Sequence, residues 1–222
     1  MSSHTLIQDV VGKTPLLYLP TLSEKTGCQI YAKAEYLNPG GSVKDRTALG
    51  IIKDAELSGQ LKPGMTIVEG TAGNTGIGLA TIAAQRGYKC LMVLPNNQSI
   101  EKYQILQALN VEVKSVPSCP FSNSNHFYHQ ARCISESHPD VYLWANQFES
   151  LANFRAHLET TGPEIWNQTA GKVDIFCAAV GTGGTLSGVS VFLTEKNPEC
   201  EIVLLDPLGS GMYDFVKTGQ IK

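Results

Sequence analysis

In Asn38-Pro39-Gly40-Gly41-Ser42-Val43-Lys44-Asp45-Arg46 a tight turn delivers the chain into a helix that carries a lysine in its first turn. Counting on from Lys44, the residues Ala48, Ile51, Ile52 and Ala55 fall on the stripe that should face the core, while Lys53, Asp54 and Glu56 fall on other faces. On that stripe both the positive helix terminus and loss of water disfavour an ammonium, so the amine is pushed toward its free-base form. Only the free base condenses with a carbonyl, which makes covalent chemistry the use such a position invites. A lysine that rests its stem on the core edge and reaches solvent with its head fits the same spacing. Ser42 is a candidate N-cap, and Asp45 three residues later would close a capping box.

Two glycine loops could supply anion sites. Thr71-Ala72-Gly73-Asn74-Thr75-Gly76 lies between a strand pattern and a helix pattern, so its first-turn backbone donors should point outward at the carboxyl end of a parallel sheet. Asn74 and Thr75 add side-chain donors there, although a plain turn with Gly73 at positive φ and Asn74 as N-cap would use the same residues. Gly181-Thr182-Gly183-Gly184-Thr185 follows an apolar strand and opens another helix, the arrangement that cradles a phosphate. It lacks the Lys-Ser/Thr pair of a Walker loop. A dinucleotide fingerprint also fails at its third glycine, which is Leu186, although Asp206 could mimic the ribose-binding acid. A phosphate without a nucleotide fits better.

These loops need a frame, and the pattern supplies one. Strands are predicted at Gln29–Leu37, Thr66–Gly70, Lys89–Leu94, Val111–Val116, Val141–Trp144, Val173–Val180 and Glu201–Leu205. Helices are predicted from Lys44, over Asn74–Arg86, Ser99–Leu109, His126–Ser137, Ala152–Gln168 and Gly184–Lys196, with irregular chain after Leu205. Alternation of this kind implies an α/β fold with parallel sheets covered on both faces.

The composition is that of a globular domain: 222 residues, 42% hydrophobic, 17% charged and a net charge of -3. Without a dense basic run, nucleic acid and anionic membrane surfaces are poor partners, and small molecules are better ones. The polar opening Met1-Ser2-Ser3-His4 and the absence of a long apolar span point to a cytoplasmic protein. Six scattered cysteines, with no Cys-x-x-Cys pair and no suitably spaced histidine, predict reduced thiols and no metal site.

The lysine turn, the Thr-x-Gly-Asn-Thr-Gly loop and the Gly-Thr-Gly-Gly-Thr loop, in this order and approximate spacing, resemble the pyridoxal-phosphate enzymes of the cysteine synthase and cystathionine β-synthase family. The likeness is greatest to cysteine synthase and extends to Gly12-Lys13-Thr14-Pro15-Leu16 and Thr160-Thr161-Gly162-Pro163-Glu164-Ile165-Trp166. It implies fold type II, which is similar to the tryptophan synthase β-chain: two three-layer α/β domains with parallel sheets and the cofactor, pyridoxal 5'-phosphate, in the cleft between them. Residues 1–150 would then form mainly the smaller, mobile domain, with approximately residues 12–34 crossing to the larger one, and 151–222 would belong to the larger cofactor-binding domain.

The same resemblance implies roles. Lys44 matches the lysine that bonds the cofactor and later moves protons at the substrate α-carbon. Gly181, Thr182, Gly183, Gly184 and Thr185 match the phosphate loop, and Asn74 matches the residue on the cofactor's 3'-oxygen. Thr71, Ala72, Gly73 and Thr75, with Gln147, match the groups that take the substrate carboxylate. The implied reaction is β-replacement at an activated serine, making cysteine from O-acetylserine and sulfide in a homodimer; cystathionine β-synthase activity and a non-catalytic binding homologue are the alternatives. Ala72 stands where most relatives carry serine, and Asn110 where a glycine is expected. Relatives continue past Lys222 with a segment that completes the larger domain, so the resemblance implies an incomplete larger domain here and slow turnover by this chain alone.

Overall fold

The chain opens with two short strands, β1 (Leu16–Tyr18) and β2 (Tyr31–Lys33), which pair antiparallel on either side of helix α1 (Pro20–Thr26). The structure is a computed structural model that describes residues 5–71 and 73–220. The strand predicted over Gln29–Leu37 is therefore shorter, giving way to a 3-10 turn at Glu35–Leu37. The reason is Glu35, whose carboxylate is drawn into hydrogen bonds with Arg46, Thr14 and Asn38 and takes the backbone out of the ladder.

Helix α2 (Lys44–Leu57) begins at the expected lysine. Its cap differs from expectation. Ser42 Oγ accepts the Lys44 N–H at 3.2 Å, but Asp45 turns away and accepts the Gly40 N–H, so no capping box forms. A Cβ on Gly40 would sit 2.5 Å from Asp45 Oδ1, so the missing side chain of the Pro-Gly turn is what admits that carboxylate.

The central sheet holds β3 (Thr66–Gly70), β4 (Lys89–Pro95), β5 (Glu112–Val116) and β6 (Tyr142–Trp144), all parallel, in the order β5-β4-β3-β6. Helices α2, α3 (Asn74–Gln85) and α4 (Ile100–Ala108) cover one face, where Ile52, Leu79 and Ile82 pack on Ile67, Met92 and Leu94. Helix α5 (Phe127–Ser137) covers the other, with Ala131 against Val68, Leu91 and Val93. Burial on both faces explains why β4 reads as an apolar run, Cys90 to Pro95, with no alternation, and why β3 is buried from Ile67 to Gly70. Asn110 takes φ +56° after α4, the left-handed stop its side chain tolerates.

The predicted helix over Ala152–Gln168 is one continuous rod with an inserted π segment: α6 (Leu151–Ala156), the π turn His157–Thr161 and α7 (Gly162–Gln168). After it, β7 (Ile175–Ala179) and β8 (Glu201–Leu205) pair parallel around α8 (Gly184–Lys196). Ile165, Val189 and Leu193 form their core with Val173 and Cys200. The segment expected to be irregular holds a helix, α9 (Met212–Thr218), whose short apolar repeat was masked by flanking glycines. Helix α2 packs against α6: a Cβ on Gly50 would lie 2.8 Å from Ala156 Cβ and 3.0 Å from the Ala152 carbonyl, so glycine lets the two helices touch.

Candidate active site

Lys44 is half-buried at the first position of α2, and burial lowers its pKa, with no carboxylate contributing to the shift. Its helix is held in place by Arg46, two residues on and 2% exposed at the side chain. That guanidinium is gripped by two carboxylates: Nε and Nη2 donate to Glu35 at 2.8 Å, while Nη1 and Nη2 donate to Glu164 at 2.7 and 2.8 Å. Lys33 Nζ donates to Glu164 as well, at 2.6 Å. Two carboxylates against two cations make a buried set that satisfies its own charge. None of that charge is left to neutralise Lys44.

Helix α8 starts at Gly184 after Gly183, which takes φ +87°. No side chain caps that terminus, so its leading N–H groups remain available to an anion. The hydroxyls beside it are held from behind. Asn153 Nδ2 donates to Thr182 Oγ1 at 2.8 Å and to the Gln147 carbonyl at 3.0 Å, which fixes its amide. Thr47 Oγ1 then donates to Asn153 Oδ1 at 2.8 Å. His157 Nε2 lies 3.3 Å from Thr47 Oγ1 and 3.2 Å from Thr185 Oγ1. With the Thr47 proton already given to Asn153, Nε2 can bond Thr47 only as a donor. Thr182 therefore accepts from the protein and keeps its own proton for whatever enters the loop, while Thr185 is held by its contact with His157.

His157 stays neutral because burial, then the charges of Arg46 and Lys44, push its pKa down to about 3. A Cβ on Gly184 would meet Asn153 Oδ1 at 2.3 Å, so this glycine is required for the amide to reach Thr182. The donor set, an uncapped helix terminus with the Thr182 and Thr185 hydroxyls beside it and a lysine amine without a hydrogen-bond partner among the described residues, suits a phosphate-bearing carbonyl compound. Pyridoxal phosphate is such a compound, and these residues fit it.

At the other loop, α3 starts after Gly73, whose backbone is extended (φ -164°) and not left-handed as a plain turn would require. Asn74 is the first helical residue, exposed, and is not the cap. Thr71 Oγ1 accepts the Gly73 N–H at 3.2 Å. Thr75 Oγ1 donates to Gln147 Oε1 at 2.5 Å, and Gln147 Nε2 donates to Glu69 Oε1 at 3.2 Å. Ala72, expected among the carboxylate-binding residues, lies outside the described residues.

The lysine turn, both loops and Gln147 are thus joined by one set of bonds through Thr47, Asn153 and His157. Sequence reasoning missed Asn153, His157 and Glu69. The first two had a signal: Asn153, His157 and Thr161 recur every four residues, a polar stripe on a helix face that is nonetheless buried. Glu69 had a fainter one, a single acid inside the run Thr66-Ile67-Val68-Glu69-Gly70. Two surface depressions, one between Gly59, Met65 and Trp144 and one between Leu91, Gln130 and His138, involve none of these residues. Among the described residues no group of His, Cys, Asp or Glu could hold a metal ion, and no helix is long and apolar enough to cross a membrane.

Fold and site together define an α/β protein in which the helix that begins at Lys44 is bonded, through Asn153 and His157, to the loops that open α3 and α8. Residues 7–222 match the family model described as pyridoxal-phosphate dependent enzyme, and the chain belongs to that family. It is 52% identical to cysteine synthase 1 of Neurospora crassa, over 94% of this chain and 56% of that protein. It is 51% identical to the cysteine synthase of Dictyostelium discoideum, over 97% of this chain and 57% of that protein. Among solved structures, O-ureido-L-serine synthase superposes with a TM-score of 0.89 at 37% identity, covering 99% of this chain and 67% of that one. The chain spans a little over half the length of these curated relatives.

Proposed function

We propose that this chain carries the lysine-bearing part of a transferase that makes cysteine by β-replacement, from O-acetylserine and sulfide. The observation that carries the proposal is the bonded set Thr47, Asn153, His157 and Gln147, which joins the lysine turn to both glycine loops. In this reading the Thr182 and Thr185 hydroxyls, with the backbone of Gly181, Gly183 and Gly184, bind the cofactor phosphate, and Asn74 binds its 3'-oxygen. Pyridoxal phosphate, when bound, supplies an electron sink for charge developing at the substrate α-carbon.

Lys44, depressed in pKa, would hold the cofactor through its amine and would take and return the proton at the substrate α-carbon. Thr71, Ala72, Gly73, Thr75 and Gln147 hold the substrate carboxylate and so fix which α-bond faces the lysine. Two domains, 1–150 with residues 12–34 crossing over and 151–222, would close to exclude water. The contacts of Lys13 and Lys33 with Glu164 support that crossing. A cytoplasmic homodimer completes the reading.

The test is borohydride reduction of cofactor-loaded protein followed by peptide mapping, with phosphopyridoxyl label expected on Lys44. A chimaera extended by the C-terminal segment of the Neurospora crassa relative should then form cysteine from O-acetylserine and sulfide. Label on another lysine would overturn the site assignment. Faster condensation of serine with homocysteine than of O-acetylserine with sulfide would overturn the substrate assignment in favour of cystathionine synthesis.

A further inference from the structure

Glu69 is fully buried at the end of β3, directly behind the Thr71 loop, and the proposed reaction gives it no task. One of its oxygens, Oε1, accepts from Gln147 Nε2; the other, Oε2, is buried without a hydrogen-bond partner among the described residues. A buried carboxylate in that position would be costly, and an oxygen that no donor among the described residues reaches at hydrogen-bond geometry, the Asn146 and Gln147 amides lying only near it, is where a proton belongs. We infer that Glu69 is the positioning residue that decides whether Thr75 and Gln147 turn their donors inward or toward a substrate carboxylate. The inference rests on the reading of Thr75 and Gln147 as the carboxylate site.

In the structure the pair faces inward. Thr75 gives its proton to Gln147 Oε1, and Gln147 gives an N–H to Glu69, so Thr75 presents only lone pairs to an incoming anion. A proton on Glu69 permits the reverse. The carboxyl turns to bring its protonated oxygen to Gln147, the O–H donates to Gln147 Oε1, the amide turns over so that Nε2 donates to Thr75 Oγ1, and the Thr75 proton is released to the ligand. Every atom stays bonded as before; only hydrogen-bond directions change.

An ionised Glu69 has no proton to give, holds the pair inward and sets a second negative charge beneath the first. Burial pushes this carboxyl up to about 8, against the opposing pull of the Gln147 side chain and of the Asn146 and Gln147 backbone amides. The neighbours add little charge of their own. Met92 pairs with it from β4, Thr75 faces it from α3, and Tyr128 of α5 is the titratable group that senses it, its hydroxyl bonded to Glu149 at 3.1 Å.

The experiment titrates cofactor-loaded protein with L-serine, followed by the cofactor's visible band, from about pH 7 to about pH 9.5. Wild-type Kd should rise by up to tenfold per pH unit above about 8 relative to E69Q, whose neutral amide keeps a donor at every pH. Both proteins share the titrations of serine and Lys44, so only the difference between them counts. Carbon-13 carboxyl NMR of glutamate-labelled wild type gives a second measure that needs no variant. One glutamate should titrate near about pH 8 and move higher when L-serine binds, because a ligand that prefers the protonated form must hold the proton. Parallel Kd profiles for wild type and E69Q, or a glutamate whose titration ignores serine, would overturn the role of Glu69 while Thr75→Ala still weakened serine binding. If Thr75→Ala bound serine as wild type does, the carboxylate-site reading itself would fall, and the inference with it.

Discussion

Glu164 and Glu69 should tie stability to pH in opposite directions. The Arg46 and Lys33 side chains and the Lys13 amide overcome burial and hold the Glu164 pKa down to about 2. Its contribution is present above the unfolded value and is lost as pH falls from about 4.5 toward 2. Glu164→Gln should flatten that acid limb and cost on the order of 3 kcal/mol at neutral pH, because it leaves part of the Arg46 charge unpaired. Glu69 has the reverse sign, being raised to about 8 by burial. The stability it contributes is full below about pH 4.5 and is lost as pH climbs to about 8, at no more than about 1.4 kcal/mol per unit. Urea unfolding across pH should show Glu69→Gln removing the fall between pH 5 and 8 and Glu164→Gln leaving it in place. Equal slopes for Glu69→Gln and wild type would mean that the buried carboxyl is ionised in the folded state.

At the scale of elements, the loops and the helices they open were legible in the sequence because their signals are local. Gly183 and Gly184 mark a strand-to-helix turn, and Lys44 follows Pro39 and Gly40 by a fixed count. What escaped depends on contacts distant in sequence. Asp45 fits a capping box by spacing, yet it bonds Gly40 because the turn leaves a space there. The π turn at His157–Thr161 has no local cause in its residue types; it widens the rod where Thr161 and Thr185 share His157.

The glycines of α8 test how tightly that rod is fitted. A Cβ on Gly188 would lie 2.5 Å from the Phe154 carbonyl and 2.8 Å from the Leu158 amide nitrogen, both of them backbone atoms that yield little. One on Gly181 would meet nothing within 4 Å. Gly188→Ala should therefore lower stability by about 1 to 3 kcal/mol and loosen cofactor retention. Gly181→Ala should leave stability within about 0.5 kcal/mol of wild type. Thermal melts of the two variants decide it, and similar Tm values would show that α8 can retreat from the π turn without penalty.

For the whole molecule, the central sheet and the pair β7–β8 differ in how they are covered. Helices lie on both faces of the first, whereas α7 and α8 pack on one face of the second through Phe176 and Ile202. The register pairs Ile175 with Glu201, Cys177 with Val203 and Ala179 with Leu205, so these side chains share the opposite face. There Ile175 is 55% and Leu205 50% exposed. Contiguous exposed apolar surface beside parallel strand edges is a self-association hazard. The 222-residue chain should therefore associate with rising concentration, and Ile175→Lys with Leu205→Lys should suppress this. Neither side chain belongs to the core beneath α8, so the double variant should keep its fold and the Lys44 label. Sedimentation velocity over a concentration series measures the effect: a wild-type chain that stays monodisperse throughout, or a double variant that associates equally, would locate the hazard elsewhere on the surface.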